Sequence, residues 1–373
     1  MTSPRIFSNE FALAALSLFL VASGLLFIYS TSSVYSLQQF GNQYHFFYRQ
    51  LLYALFGVGF MLLLASTDYR DFRPVAGWVL VVSGLLLLLV WFPGIGKTVR
   101  GARRWIDLGP LSFQPSELVK VTLVLYLAER LARPSYQRER SDLFAGYLRF
   151  WIVALPFLLI ILAQRDFGAT VICGIAVAVL LFLAGARWRY MMLTAAAALP
   201  VAIYLCLDSY RWDRIRMFVN PWKDPYGAGY QLVQSYISLG LGGVFGSGLG
   251  NGTQKLFYLP DAHTDFIFSV LGEEVGLVGC CGFLTVFLLF IVQGVRIALR
   301  APDRFGTLLA AGLTFLVGIQ FVLNVAVVLG LLPTKGMVLP FLSYGGSALL
   351  VNLMAVGILC SVATHGVLRP NPR

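Results

Sequence analysis

Residues 11–30 read FALAALSLFLVASGLLFIYS, twenty positions without one charged side chain. A helix rises about 1.5 Å per residue, so this run alone covers the roughly 30 Å hydrocarbon core of a bilayer. A cleaved secretory signal has a shorter apolar core and a small-residue cleavage site behind it. This run lacks a convincing site and is expected to stay as the first spanning helix. Nine further apolar runs follow, at about 50–66, 75–92, 117–132, 149–163, 168–186, 189–207, 266–293, 307–330 and 344–365. The run at 117–132 is the weakest, because Glu117, Lys120 and Glu129 interrupt it; without it, every later segment would change sides. The predicted fold is an all-α polytopic membrane protein of about ten transmembrane helices, a single membrane domain filling residues 1–373.

Composition agrees. Hydrophobic residues make up 58% and charged residues 12% of the chain, and the mean hydropathy is +0.78, outside the range of soluble globular domains. The formal charge of +11 is spread between apolar segments and forms no stripe on a soluble face, which argues against nucleic acid and for phosphate at a membrane surface. Cys173, Cys206, Cys280, Cys281 and Cys360 all fall inside apolar runs without CxxC spacing, and read as reduced packing residues. The sequence shows no low-complexity segment and no repeat.

Lys and Arg accumulate in the cytoplasmic loops of membrane proteins. Arg70 and Arg73, Arg130 to Arg140, Arg187 and Arg189, Arg296 to Arg304, and Arg369 and Arg373 fall on alternate connections, which places both termini in the cytoplasm. The outer face breaks the rule twice, at Lys97–Arg104 and in the large extracellular loop 208–265 between helices 7 and 8. Cations kept there against the topological bias indicate an anionic ligand. The loop mixes Gly and Pro with aromatic and apolar residues, so an ordered segment is expected.

Five stretches of that face carry candidate chemistry. Lys97, Arg100, Arg103 and Arg104 precede Gln114, Pro115, Ser116, Glu117 and Lys120. Arg forks suit phosphate oxygens, while snorkelling to lipid headgroups and a capping Ser116 are the plainer readings. Asp166 sits in the short turn Gln164–Gly168, either paired with Arg165 or capping the next helix. Arg211 to Arg216, with Trp212, Trp222 and Tyr230, suits sugar stacking or the membrane interface equally. The sequence GLGNG at 248–252 with Lys255 lacks the strand and GK[ST] ending of a phosphate loop. Beyond it, LPDAHTDF at 259–266 puts Asp265 where water meets an apolar helix, the setting of a general base, although a cap for a helix from Phe266 is equally open. Lys335 and the LPFLSYGGS segment at 339–347 can close the same cavity.

GARRWI, FQPSELVK, NPWKDPYGAGYQLVQS, GLGNGTQKLFYLPDAHTDFIFSVLGEEVGLVG and LPTKGMVLPFLSYGGS, in this order, resemble the signature blocks of the FtsW/RodA/SpoVE family over nearly the whole chain. The TKG before LPFLSYGG and the GNGTQKLFYLPDAHTDF block resemble its division branch more than its elongation branch. The resemblance implies a peptidoglycan glycosyltransferase that polymerises lipid II outside the inner membrane at the division septum, with a class B penicillin-binding transpeptidase and other divisome membrane proteins as partners. It puts the catalytic residue on Asp265. Substrate-binding candidates are Lys97, Arg103, Arg104, Gln114, Ser116, Glu117, Lys120, Lys255, His263, Thr264, Lys335 and Ser343. Arg165 stands where the family usually shows proline, and Ala348 where a second Ser is common. One base and several cations suffice for this chemistry, because pyrophosphate is a good leaving group. A divalent cation (Mg or Mn) is compatible with it, though the outer loops show no carboxylate cage. The alternatives are a lipid II flippase, a scaffold that recruits the transpeptidase, and an elongation polymerase of the RodA type.

Overall fold

The computed structural model describes residues 9–99, 101–109, 111–206, 209–256 and 258–368. Arg100, Asp208, Arg369 and Arg373 lie outside the described residues, as do the side chains of Cys206 and Arg211. Each of the ten apolar runs falls on a helix: α1 (Asn9–Phe40), α2 (His45–Ser66), α3 (Phe72–Leu89), α4 (Pro115–Ala132), α6 (Arg149–Ala163), α7 (Phe167–Leu183), α8 (Trp188–Cys206), α11 (Ile267–Arg300), α12 (Arg304–Val328) and α13 (Gly346–Leu368). Between them stand the short α5 (Pro134–Glu139), α9 (Ser209–Val219) and α10 (Tyr230–Gly242). Among the described residues, seven helices are long and apolar enough to cross a membrane. The apolar α7 falls one residue short of that length, at 17 residues.

Burial sorts the helices. In their apolar windows α13 is 83% and α12 67% buried, against 22% of α3 and 28% of α2, so α12 and α13 are central and α2 and α3 face lipid. The charged α4 belongs to the centre as well, with buried residues around its whole circumference, including Ser116, Glu117, Lys120 and Glu129. Its poor hydropathy follows from that position, since a helix enclosed by protein can carry charges that pair with one another.

Arg70 lies 3.4 Å from Asp303, Ser361 donates to Thr67 O and Arg304 donates to Ala184 O, so the arginine-rich connections share one face. The other face holds a feature that an all-α reading omits. Residues 96–113 form a three-stranded antiparallel sheet, β1 (Gly96–Val99), β2 (Ala102–Leu108) and β3 (Leu111–Phe113), with Gly96 opposite Ile106 and Ile106 opposite Phe113. The described part of the 208–265 loop carries α9 and α10, in line with an ordered segment, and returns through α10 to pack on α11. There α11 breaks at Gly276, whose φ of +67° excludes other residues, and a Cβ would stand 2.3 Å from Gly246 N. The freed amides of Leu277 and Val278 donate to Gly243 O and Val244 O, which meets them inside the apolar layer.

Candidate functional site

Asp265 stands half-buried in the turn before α11. The carbonyl of Asp261 gathers the amides of Thr264, Asp265 and Phe266 at 3.0 to 3.3 Å, and Asp261 itself adopts φ +55°. Arg165, in the turn before α7, has φ +62°. Left-handed backbone at non-glycine residues costs of order 1–3 kcal/mol each and gathers at functional sites. Helix α11 begins at Ile267 with Phe266 in the N-cap position and no side-chain capping bond. Asp265 is therefore one residue outside the place that a capping role requires.

Two neighbours fix this turn. Asn324 Nδ2, on α12, donates to Asp265 O at 3.0 Å and to Met337 O at 2.5 Å, pinning the catalytic candidate and the 334–337 segment to one side chain. Gly336 passes so close to the carboxylate that a Cβ would lie 2.8 Å from Asp265 Oδ2. The same segment brings the Lys335 ammonium over the Phe167 ring, 4.4 Å from its centroid and beside Gly168. Arg214 Nη1 donates to Thr334 O at 2.7 Å, which carries a guanidinium of the large outer loop to this segment.

The turn at Gln164–Gly168 joins the cluster through Asp166. Asp166 caps α7 by accepting from Ala169 N, and its other oxygen receives Gln114 Nε2 at 2.8 Å and Ser116 Oγ at 3.3 Å. One turn below, Glu117 and Lys120 form a buried ion pair at 2.7 Å, and Lys120 reaches Gln320 Oε1 at 3.2 Å. Gln320 and Asn324 are four residues apart on one face of α12, so a single helix links the buried pair to the Asp265 turn.

The remaining candidates each have partners of their own. Arg103 donates to Trp91 O, Phe92 O and Gly96 O, and Arg104 to Gln164 O and Arg165 O, so both bracket the sheet onto neighbouring turns. Lys97 pairs at the surface with Asp107. Lys255 binds Glu274 at 2.6 Å together with Ser30 Oγ and Gly250 O, which locks the glycine-rich loop to α1 and α11. Ser343 Oγ accepts from Leu339 N within its own turn. His263 packs among Tyr35, Phe46 and Tyr344, and Thr264 Oγ1 donates to Asp261 O. A shallow cleft of about 170 Å³ opens beside the sheet, lined by Trp91, Arg103, Gln164 and Arg165; it includes no residue of the 261–265 turn. Among the described residues no three His, Cys, Asp or Glu side chains converge as metal ligands, so no step is assigned to a divalent cation.

Sequence reasoning missed Gln320 and Asn324, because it looked for charges inside the apolar runs and amides carry none. Their spacing of four inside such a run is the signal that identifies them.

A family model for FtsW/RodA/SpoVE cell cycle proteins matches residues 11–367. A probable peptidoglycan glycosyltransferase FtsW of Geobacter sulfurreducens is 45% identical over 348 residues, covering 93% of this chain and 92% of the relative. Stage V sporulation protein E of Bacillus subtilis is 39% identical over 360 residues, covering 96% and 98%. The crystal structure of the rod shape determining protein RodA of Thermus thermophilus matches with a TM-score of 0.69 at 28% identity, covering 97% of this chain and 98% of that one. A chain from a structure on the coordination of polymerization and crosslinking by a peptidoglycan synthase complex matches with a TM-score of 0.77 at 29% identity, covering 96% and 98%. A model match over almost the whole length, and relatives covered nearly end to end, show that this chain belongs to the FtsW/RodA/SpoVE family.

Proposed function

We propose that this protein is a peptidoglycan glycosyltransferase, which joins lipid II units into glycan strands on the outer face of the bacterial cytoplasmic membrane during septal division. It spans that membrane ten times with both termini inside. Its partners are a class B penicillin-binding transpeptidase and other divisome membrane proteins. The observation that carries the reading is Asp265, half-buried and outside the capping position, its backbone carbonyl held by Asn324 and its carboxylate against Gly336.

In this reaction Asp265 takes the proton from the acceptor sugar's hydroxyl as its oxygen attacks the anomeric carbon of the donor. The bond from that carbon to the pyrophosphate oxygen breaks with inversion, and the lipid pyrophosphate leaves. Lys335 and Arg214, brought together by the 334–335 segment, offset the charge that develops there. Gln114 and Ser116 set the adjoining wall through Asp166.

Relatives named as probable FtsW glycosyltransferases at 42–45% identity support the division role over the elongation role. The synthase complex, with its coordination of polymerization and crosslinking, supports a transpeptidase partner. A flippase needs a path through the bundle, whereas the buried Glu117–Lys120–Gln320 chain fills the interior beneath the site. The test is strand formation from purified lipid II by the parent and by Asp265→Asn, each with the cognate transpeptidase. Polymer from the parent alone is expected, and normal polymerisation by the variant would refute the base.

A further inference from the structure

We propose that the arginine-rich face, at the far end of α11 from Asp265, carries a binding site for the phosphate of an anionic phospholipid, formed by Tyr136, Arg140 and Arg304 around the turn between α7 and α8. Tyr136 on α5 is fully buried, with its ring 5.6 Å from Phe150 in an edge contact, yet its hydroxyl has no hydrogen-bond partner among the described residues. Arg304 donates through Nη2 to Ala184 O at 2.5 Å, while its buried Nε has no acceptor among the described residues. Arg140 reaches the same turn, since a Cβ on Gly185 would lie 3.6 Å from its Nη1.

The acidic side chains of this segment are already engaged. Glu139 pairs with Arg149 at 2.6 Å, Glu129 with Arg133 at 2.7 Å, and Asp142 accepts from Ala145 N. Burial pushes the Tyr136 phenol above its ordinary range, and the charges of Arg304, Arg149 and Arg140 oppose that rise. Two more buried donors of the segment, Gln137 Nε2 and Trp151 Nε1, also lack an acceptor.

Buried polar groups are almost always paired, and every unmatched group here can donate. The missing partner is thus an anion with several acceptor oxygens, and phosphate fits arginine forks best. Phe144 and Trp188, 64% and 66% exposed on the same face, suit the headgroup layer and give acyl chains an apolar approach. Basic pockets between spans on the cytoplasmic side hold anionic lipid headgroups by this chemistry.

The purified full chain in detergent is titrated with short-chain phosphatidylglycerol, short-chain phosphatidylcholine and inorganic phosphate. Bound lipid is read by native mass spectrometry and unfolding by intrinsic fluorescence. Phosphatidylglycerol is expected to bind and raise Tm where phosphatidylcholine does not. Arg140→Gln should weaken it about tenfold and Tyr136→Phe about threefold. Arg140 is exposed and Phe keeps the ring packing, so both variants should melt like the parent without lipid. Protection by inorganic phosphate without protection by phosphatidylglycerol overturns the lipid occupant. Equal binding of the two lipids, or by parent and variants, overturns the site.

Discussion

Gly336→Ala tests whether the carboxylate of Asp265 works from the position in which it is held. The added methyl would stand 2.8 Å from Oδ2 and 3.6 Å from Cγ. Carbon and oxygen settle at about 3.3–3.6 Å, so the carboxylate must retreat by about half an ångström. Gly336 is not among the residues with positive φ, and alanine fits its backbone. Oδ2 is the far end of a rotatable side chain, so the carboxylate yields to the methyl by turning about its side-chain torsions and the backbone stays in place. Catalysis is less tolerant: a misplacement of 1 Å costs on the order of 100-fold, and half of that costs about tenfold, or about 1.4 kcal/mol on the barrier. The assay is the initial rate of strand formation with the transpeptidase present, beside Tm and lipid II affinity. The rate should fall about tenfold with the other two nearly unchanged, and the change should add nothing on an Asp265→Asn background. A parent-like rate, or a loss that tracks lost folded protein, would refute the reasoning.

Lys120→Met leaves Glu117 buried without its partner and should cost about 3–5 kcal/mol in thermal unfolding, most of it recovered when Glu117→Gln is added. Arg103→Ala with Arg104→Ala removes bonds that end on backbone carbonyls, so stability should drop by about 1–3 kcal/mol while the folded fraction keeps its lipid II affinity. Asn324→Leu keeps the volume but strips the donor from Asp265 O and Met337 O; about 1–3 kcal/mol of stability should be lost, with kcat falling more than KM rises.

The helices were legible because a spanning segment must be continuously apolar, and each of the ten runs from Phe11 onward is helical. The sheet at 96–113 was not. Its longest strand, ARRWIDL, buries only Ala102 and Ile106, four residues apart, so the two-residue alternation that announces a strand is absent. Asp265, Gln114, Ser116 and Lys335 were legible as candidates, but the partners that bring them together were not. Asp166 read as a turn residue that pairs with Arg165 or caps a helix, and the structure shows it capping α7 while it also receives Gln114 and Ser116 across fifty residues of chain. Arg103 and Arg104 were legible as cations against the topological bias, but their acceptors, main-chain carbonyls of neighbouring turns, were not.

With Lys120 neutralised by Glu117, Lys335, Arg214 and the helix ends add to the positive charge available to a pyrophosphate. The N-termini of α4, α7 and α11 open on the same face, each a source of partial positive charge. Asp166 binds Gln114 and Ser116 at the start of α4 and caps α7, offsetting two of the three. Helix α11 has no side-chain cap. Its N-terminus lies beside Asp265 in sequence, so a helix end of partial positive charge and the candidate base adjoin, an arrangement suited to a reaction that removes a proton and releases a pyrophosphate in one cavity.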